Sequence, residues 1–167
     1  MIEIREEGPD DVAAVRALNR RAFGQDLEGD IVDALRSNGA TVLSLVAMRN
    51  GQVVGHILYS PVSVGGAVTG AALGPMSVLP EHQRRGIGSQ LVETGNRRLK
   101  EAGCPFILLV GHPDFYPRFG FTPARSHGIV CEWEVPDDAF LLLVLDEARM
   151  RGVSGLARYR PEFSSVS

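Results

Sequence analysis

The 167-residue sequence has few of the residues that mark secreted, metal-binding or nucleic-acid-binding proteins. Its two cysteines, Cys104 and Cys131, form no CxxC pair and lack metal-ligand spacing, so we expect reduced thiols rather than a disulfide. The 17 basic residues are outnumbered by 20 acidic ones, and the net charge of −3 disfavours a nucleic-acid binder. No apolar run reaches the roughly 18 residues of a membrane span, so we expect no membrane partner.

Signals for export, metal binding and serine-based catalysis are also missing. The chain begins MIEIREEGPDD, without the basic and apolar regions of a signal peptide, and we expect a soluble, cytoplasmic protein. The four histidines form no HxxxH or HExxH pattern, so no metal site is predicted. There is no GxSxG nucleophile elbow.

The composition is that of one folded domain. Hydrophobic residues make up 44% of the chain and charged residues 22%, an ordinary globular balance. We predict a single domain over 1–167, with a core over 1–145 and a C-terminal tail over 146–167. The tail is polar from Gly152 onward, and we expect it to pack loosely.

Hydrophobic periodicity predicts the α+β class, with a mixed central sheet and flanking helices. Asn50-Gly51 is a hairpin signal within a three-stranded antiparallel meander, and Pro75 should make the last meander strand irregular because proline lacks an N–H. A strand–helix–strand order after it implies a crossover helix and parallel strands. The expected elements are a strand at 2–4, helices at 10–20 and 31–35, meander strands at 42–48, 53–64 and 71–79, a helix at 86–103, and strands at 106–110 and 140–145.

The segment QRRGIGS joins the meander to the crossover helix. The first turn of a helix has N–H groups without helical partners, and the helix dipole adds partial positive charge there. Gly86 and Gly88 would let a phosphate approach the backbone closely. Arg84 and Arg85 add full charges, and Ser89 adds a hydroxyl donor. The segment therefore predicts an anion site suited to a pyrophosphate; the alternative is a glycine-rich turn with solvated arginines.

The same segment, of the pattern [QR]-x-x-G-x-[GA], resembles the cofactor-binding motif of the GNAT superfamily of N-acetyltransferases. The order of elements over roughly 1–145 is also similar to that superfamily. LGPMSVLP at 73–80 and FYPRFGF at 115–121 resemble one bacterial branch of predicted acetyltransferases. The resemblance implies a GNAT-like fold and an acyltransferase. It also implies acetyl-CoA as cosubstrate, no metal, and direct attack by an amine acceptor.

The resemblance further implies which residues would act on the donor side. Backbone groups of Met76 and Val78 would pair with the pantetheine arm, and Gln83 would have a structural role. Tyr116 lies four residues before Gly120 and would protonate the departing thiolate. A thiol with a pKa of about 8.5 gains from such a donor, although a packed core tyrosine is the alternative. The residues implied to hold the pyrophosphate are Arg84, Arg85, Gly86, Ile87, Gly88 and Ser89.

Candidates on the acceptor side are less well defined. Glu28 and Asp30 lie between the first two helices, where acidic groups would attract a cationic amine or simply cap a helix. His56 follows Gly55 in the meander, where it would face the cleft or pack as an ordinary strand histidine. Ser77 could help to orient a substrate from the central strand.

Two other functions stay open at this point. One is a non-catalytic domain that binds or senses acyl-coenzyme A. The other is a nucleotide-binding or basic-loop interaction domain, which the missing Walker lysine disfavours. The acceptor's identity is not encoded in any motif, and a homodimer is one option because similar proteins are commonly dimers.

Overall fold

The computed structural model describes residues 1–166, which form a mixed β-sheet flanked by helices. The strands of this part of the chain pair in the order β1-β2-β3-β4-β5-β8-β6, while β9 pairs with β3 and β7. The strands are β1 (Glu3–Glu6), β2 (Leu43–Arg49), β3 (Gln52–Val64), β4 (Val68–Val78), β5 (Phe106–Val110), β6 (Thr122–Pro123), β7 (Ile129–Val130), β8 (Phe140–Val144) and β9 (Gly155–Arg158). The helices are α1 (Val12–Phe23), α2 (Leu27–Ser37), α3 (Ile87–Glu101) and α4 (Glu147–Met150). This architecture confirms the predicted α+β class.

The predicted meander is formed by β2, β3 and β4, which pair antiparallel. Asn50 and Gly51 both have positive φ angles, 51° and 75°, and close the β2–β3 hairpin between Arg49 and Gln52. Two positive φ angles are typical of a type I′ turn, whose twist matches that of the flanking strands. The Asn-Gly hairpin signal is therefore confirmed.

The irregularity predicted at Pro75 is also present. Ile57 of β3 lies opposite Met76, whereas Tyr59 lies opposite Leu73, so the register shifts between them. Two residues of β4 thus stand against one residue of β3, as in a β-bulge.

The two strands on either side of α3 run parallel, as predicted, but they pair over a short length. Their register covers Ala71 opposite Ile107 and Ala72 opposite Leu108. Since β4 continues to Val78 and β5 to Val110, the two strands separate after this contact. The separation leaves a cleft between their C-terminal ends, next to the start of α3.

Helices cover both faces of the sheet. Gly55 faces α3, because a Cβ there would lie 3.1 Å from Leu91 and 3.2 Å from Ile87. The next residue, His56, points to the opposite face, which carries α1 and α2. No helix in residues 1–166 combines the length and apolar content needed to cross a membrane.

The prediction of a loosely packed C-terminal tail is wrong. β9 pairs antiparallel with the end of β3, where Val64 lies opposite Ala157, and parallel with β7. Ala157 is fully buried, and Tyr159 packs with its ring centroid 4.8 Å from that of Trp133. The buried residue of β9 is the small Ala157, which gives little hydrophobic signal in sequence, so the pairing of this strand could not be predicted.

Candidate active site

The N-terminus of α3 lies at the mouth of the cleft. Gly86 precedes the helix in the left-handed conformation, with φ 81°. The first helical hydrogen bond runs from the Gln90 N–H to the Gly86 carbonyl, at 3.1 Å. The N–H groups of the three residues between them therefore have no helical acceptor, and no side chain caps this end of the helix within residues 1–166. The predicted helix start is confirmed, with donors available for an anion.

Two cations precede this helix end. Arg84 and Arg85 are both exposed, and within the described part of the chain neither forms an ion pair with a carboxylate. Arg84 has a positive φ of 64°, so the loop turns sharply before Gly86. The free N–H groups at the start of α3, the helix dipole and the two guanidinium groups, which have no carboxylate partner among the described residues, together create a positive electrostatic potential here.

Gly88 brings the helix end against the walls of the cleft. A Cβ at this position would lie 3.5 Å from Met76 Cε and 3.8 Å from Phe115 Cζ. Met76 belongs to β4, and Phe115 belongs to the segment that follows β5. The cleft is therefore bounded by α3, β4 and this segment, and the helix amides open into it.

The edge of β4 along the cleft has backbone groups directed away from β3. The Leu79 N–H donates to the Val54 carbonyl at 2.9 Å, and backbone groups alternate in direction along a strand. The N–H and C=O groups of Met76 and Val78 consequently point toward the cleft. Gln83 donates its side-chain amide to the Val78 carbonyl at 3.0 Å, which gives Gln83 a structural position.

Tyr116 lies in a 3-10 turn, Tyr116–Phe119, on the other side of the cleft. Its side chain is 8% exposed and packs edge-on against Phe115 and Phe121, with ring centroids 5.0 and 5.9 Å away. Burial raises the pKa of Tyr116 to about 12. Within residues 1–166 its hydroxyl has no hydrogen-bond partner. Phe115 packs against Tyr116 and also lies near the start of α3, where a Cβ on Gly88 would be 3.8 Å from its Cζ.

The acceptor-side candidates Glu28, Asp30 and Ser77 are each already bonded to a neighbouring side chain. The prediction that Glu28 and Asp30 lie between the first two helices is wrong, because both lie in the first turn of α2. Glu28 accepts hydrogen bonds from Gln25 at 3.2 and 3.1 Å, while Asp30 pairs with Arg16. Ser77 is 5% exposed and donates to Asn19 at 3.0 Å. Among residues 1–166, no three His, Cys, Asp or Glu side chains lie close enough together to hold a metal ion.

His56 does not open to solvent in the cleft. Its side chain is fully buried, and Nε2 lies 2.8 Å from the Ser44 hydroxyl. The alternative of a packed strand histidine therefore describes its position better than a side chain exposed in the cleft.

Several residues that shape this site could not be predicted from the sequence. Gly111 lies against the ring of Tyr116, where a Cβ would be 2.6 Å from Cε2. Arg21 at the end of α1 donates to both carboxylate oxygens of Glu81, which precedes the arginine loop. Glycine, arginine and glutamate are common surface residues, and no local pattern distinguishes these three.

Comparison with known proteins assigns the chain to a family. A family model described as an acetyltransferase (GNAT) domain matches residues 3–124. The uncharacterized N-acetyltransferase YhbS of Escherichia coli K12 is 36% identical over 163 residues, which cover 96% of this chain and 98% of YhbS. A crystal structure of the Escherichia coli YhbS in complex with CoA superposes with a TM-score of 0.91, covering 97% of this chain and 91% of that one. A GNAT family acetyltransferase from Brucella melitensis, solved in complex with acetyl-CoA, is 38% identical with a TM-score of 0.82 and covers 98% and 99% of the two chains.

The chain belongs to the GNAT acetyltransferase family. The match confirms the resemblance drawn from QRRGIGS and the order of elements, and with it the predicted class of enzyme, an acyltransferase. It extends beyond the first 145 residues, because the alignment with YhbS covers 96% of the chain.

Proposed function

We propose that the protein transfers an acetyl group from acetyl-CoA to a primary amine by direct attack of the amine nitrogen on the thioester. The observation that carries this proposal is the uncapped N-terminus of α3, which opens into the cleft where β4 and β5 separate. Two relatives solved with CoA and with acetyl-CoA share this fold at 36% and 38% identity, which supports the same donor here.

The donor would be held by backbone groups and two arginines. The pantetheine arm would lie along β4 as an added strand, using backbone groups of Met76 and the N–H of Val78, whose carbonyl already accepts from Gln83. The diphosphate would sit at the helix end, where amides and guanidinium groups favour negative charge. The residues proposed to hold it are Arg84, Arg85, Gly86, Ile87, Gly88 and Ser89.

In the reaction, a C–N bond forms as the C–S bond breaks, and coenzyme A leaves as a thiolate. We propose that the Tyr116 hydroxyl gives its proton to that sulfur. A cationic acceptor loses one proton to water before it attacks, and the second proton, which its nitrogen loses after the attack, restores the Tyr116 hydroxyl. With its pKa raised to about 12, the phenol is protonated at neutral pH, so the proton is in place when the bond breaks.

The acceptor would enter from the side of α1 and α2. We propose that Glu28 attracts a cationic amine, because the neighbouring Asp30 is already paired with Arg16 whereas Glu28 contacts the neutral amide of Gln25. Ser77 would orient the amine from the central strand. His56, which lies opposite Ser77 in the strand register and is fully buried, would support this position from the interior. A carboxylate that contacts only a neutral amide favours a cationic acceptor over an anionic one.

The proposal is tested by thiol release from acetyl-CoA with a panel of acceptors: a polyamine, an aminoglycoside, free amino acids and a peptide with a free N-terminus. We expect amine-dependent thiol release and a rise in melting temperature with acetyl-CoA, since a ligand at 100 times its Kd adds about 2.7 kcal/mol of stability. Binding without turnover would favour a non-catalytic coenzyme A-binding domain. Absence of binding would contradict both functions.

A further inference from the structure

The side chain of Arg118 folds back onto the turn that carries Tyr116. Its Nε–H donates to the Phe115 carbonyl at 2.9 Å, and its Nη2 donates to the Asp114 carbonyl at 3.2 Å. The guanidinium carbon also lies 4.9 Å from the centroid of the Phe115 ring. These contacts hold a cation in a defined position at the surface of the turn.

The same contacts leave the charge of Arg118 unbalanced and most of its donors available. An arginine has five N–H groups, and the two hydrogen bonds to carbonyls use two of them, so about three remain. Arg118 is exposed, and among the ion pairs formed by residues 1–166 none includes it. The contact with Asp114 is made by the main-chain carbonyl. Arg118 can therefore bind an anion without first breaking an ion pair.

Phe115 places this cation near the start of α3. A Cβ on Gly88 would lie 3.8 Å from Cζ of the ring whose centroid is 4.9 Å from the guanidinium carbon. Since one ring makes both contacts, the guanidinium lies within about 10 Å of a Cβ at position 88, which is comparable with the Debye length at 0.1 M salt. Gly88 is among the residues whose N–H groups have no helical acceptor. The charge of Arg118 therefore acts on an anion bound at these amides.

Arg118 and the arginine loop belong to different walls of the cleft. Arg84 and Arg85 precede α3, whereas Arg118 lies in the segment that follows β5. A guanidinium group binds phosphate well because its planar N–H groups match the spacing of phosphate oxygens. Coenzyme A carries phosphate at two places, in the diphosphate and on the ribose, so cations on both walls can contact it.

We propose that Arg118 binds a phosphate group of coenzyme A, so that the cofactor's phosphates are held from both walls of the cleft. The start of α3 with Arg84 and Arg85 forms one side, and Arg118 forms the other. This rests on the proposed function, which places coenzyme A in the cleft. The phosphate is either the ribose phosphate or part of the diphosphate, and binding experiments with coenzyme A analogues distinguish the two.

The test compares the Kd for coenzyme A of Arg118→Gln with that of the wild type, measured by titration calorimetry. Glutamine removes the charge and keeps a side-chain N–H group for the carbonyls of the turn. We expect binding to weaken about tenfold, because a charge-assisted hydrogen bond is lost. The loss should shrink in about 1 M salt, where charges are screened within about 3 Å. An unchanged Kd at low salt overturns the inference.

Arg149→Gln is the matched control. Arg149 is also exposed and donates to a backbone carbonyl, that of Gly103, at 2.7 Å. Gly103 follows the C-terminal end of α3, a helix of 15 residues and therefore about 22 Å long. The control makes the same change in net charge far from the cleft, and its Kd should equal that of the wild type. An equal loss of affinity in both variants would contradict a local role of Arg118.

Coenzyme A analogues identify the phosphate. Dephospho-coenzyme A lacks the ribose phosphate, and pantetheine lacks every phosphate; NMR titration measures the weaker binding of pantetheine. If Arg118 binds the ribose phosphate, Arg118→Gln should weaken binding of coenzyme A and leave that of dephospho-coenzyme A unchanged. If it binds the diphosphate, both should weaken while pantetheine does not. An equal loss for all three ligands would mean that the variant changes the cleft itself, and would overturn the inference.

These measurements use no acceptor, so they separate this inference from the proposed function. A wild type that binds coenzyme A but gives no amine-dependent thiol release contradicts the proposed acetyl transfer, and the Kd values still decide the role of Arg118. Conversely, an active wild type whose Kd does not respond to Arg118→Gln contradicts this inference and leaves acetyl transfer in place.

Discussion

Gly111 lies so close to Tyr116 that a Cβ at position 111 would stand 2.6 Å from Cε2 of the tyrosine ring. Leu109 Cδ1 would be 3.2 Å away on another side. The ring of Tyr116 is also held edge-on by Phe115 and Phe121. The lack of a side chain at Gly111 thus allows the ring of Tyr116, the proposed acid, to occupy this position.

Gly111→Ala is expected to move this ring and weaken both the fold and the reaction. Overpacking a well-packed core typically costs about 1–3 kcal/mol, and the displaced hydroxyl should lower kcat. Thermal unfolding and thiol release measure the two effects. Gly8→Ala is the control, because its Cβ would be an ordinary 3.6 Å from Asp11 Oδ2 and its stability should change little. Equal melting temperatures for the two variants would contradict the close packing.

Tyr116→Phe is expected to lower kcat by about 100-fold while leaving the Kd for coenzyme A nearly unchanged, since only the proton donor is removed. The wild type should show no loss of kcat between pH 9 and 11 from ionisation of this group, because burial raises its pKa to about 12. Steady-state kinetics and calorimetric titration check both statements. A mutant with wild-type kcat would remove the acid role from Tyr116.

Gly86→Asp and Gly86→Asn form a matched pair at the N-terminus of α3. Both add similar bulk at a left-handed position with φ 81°, but only aspartate adds negative charge where the diphosphate is proposed to bind. We expect Gly86→Asp to weaken coenzyme A binding at least about tenfold more than Gly86→Asn. In the free protein the two variants should have similar melting temperatures, because both place a side chain at the same left-handed φ, where a non-glycine residue is strained. Titration calorimetry measures the affinities, and equal values would argue against an anion site.

Arg21 and Glu81 form an ion pair, and removing one partner or the other should affect coenzyme A binding differently. The two guanidinium nitrogens of Arg21 lie 3.0 and 2.9 Å from the carboxylate of Glu81, which stands three residues before Arg84. Arg21→Ala should weaken coenzyme A binding a few-fold, because an unpaired carboxylate then faces the diphosphate, whereas Glu81→Gln should not weaken it. The difference should diminish in about 1 M salt, where charges are screened within about 3 Å. Titrations in low and high salt check this, and a loss of affinity in both variants would instead indicate that the pair holds the loop in place.

Much of the fold and half of the site could be predicted because the relevant physics is local. Positive φ angles at Asn50 and Gly51 follow from residue type, as does the helix start at Gly86. Pro75 cannot donate to a strand ladder, so an irregularity there follows from its chemistry. Each of these preferences acts between residues that are neighbours in the chain.

The remaining features depend on contacts between distant residues. Arg21 and Glu81 are 60 residues apart, and Tyr59, whose hydroxyl donates to Asn96 at 2.9 Å, is 37 residues from its partner. A charged or polar side chain has many equivalent partners in sequence, and only packing selects one. The pairing of β9, which lies in the tail predicted to pack loosely, also depends on contacts between residues distant in sequence.

By itself, the sequence determined the helix end that can receive an anion, because glycines, arginines and unpaired amides lie within seven consecutive residues, QRRGIGS. The tertiary structure alone decided what surrounds it: the cleft where β4 leaves β5, the ring of Tyr116 against Gly111, and the burial of His56. The physical reason is that backbone conformation is set by neighbouring residues, whereas cleft shape, burial and pKa are set by which distant side chains the folded sheet brings together.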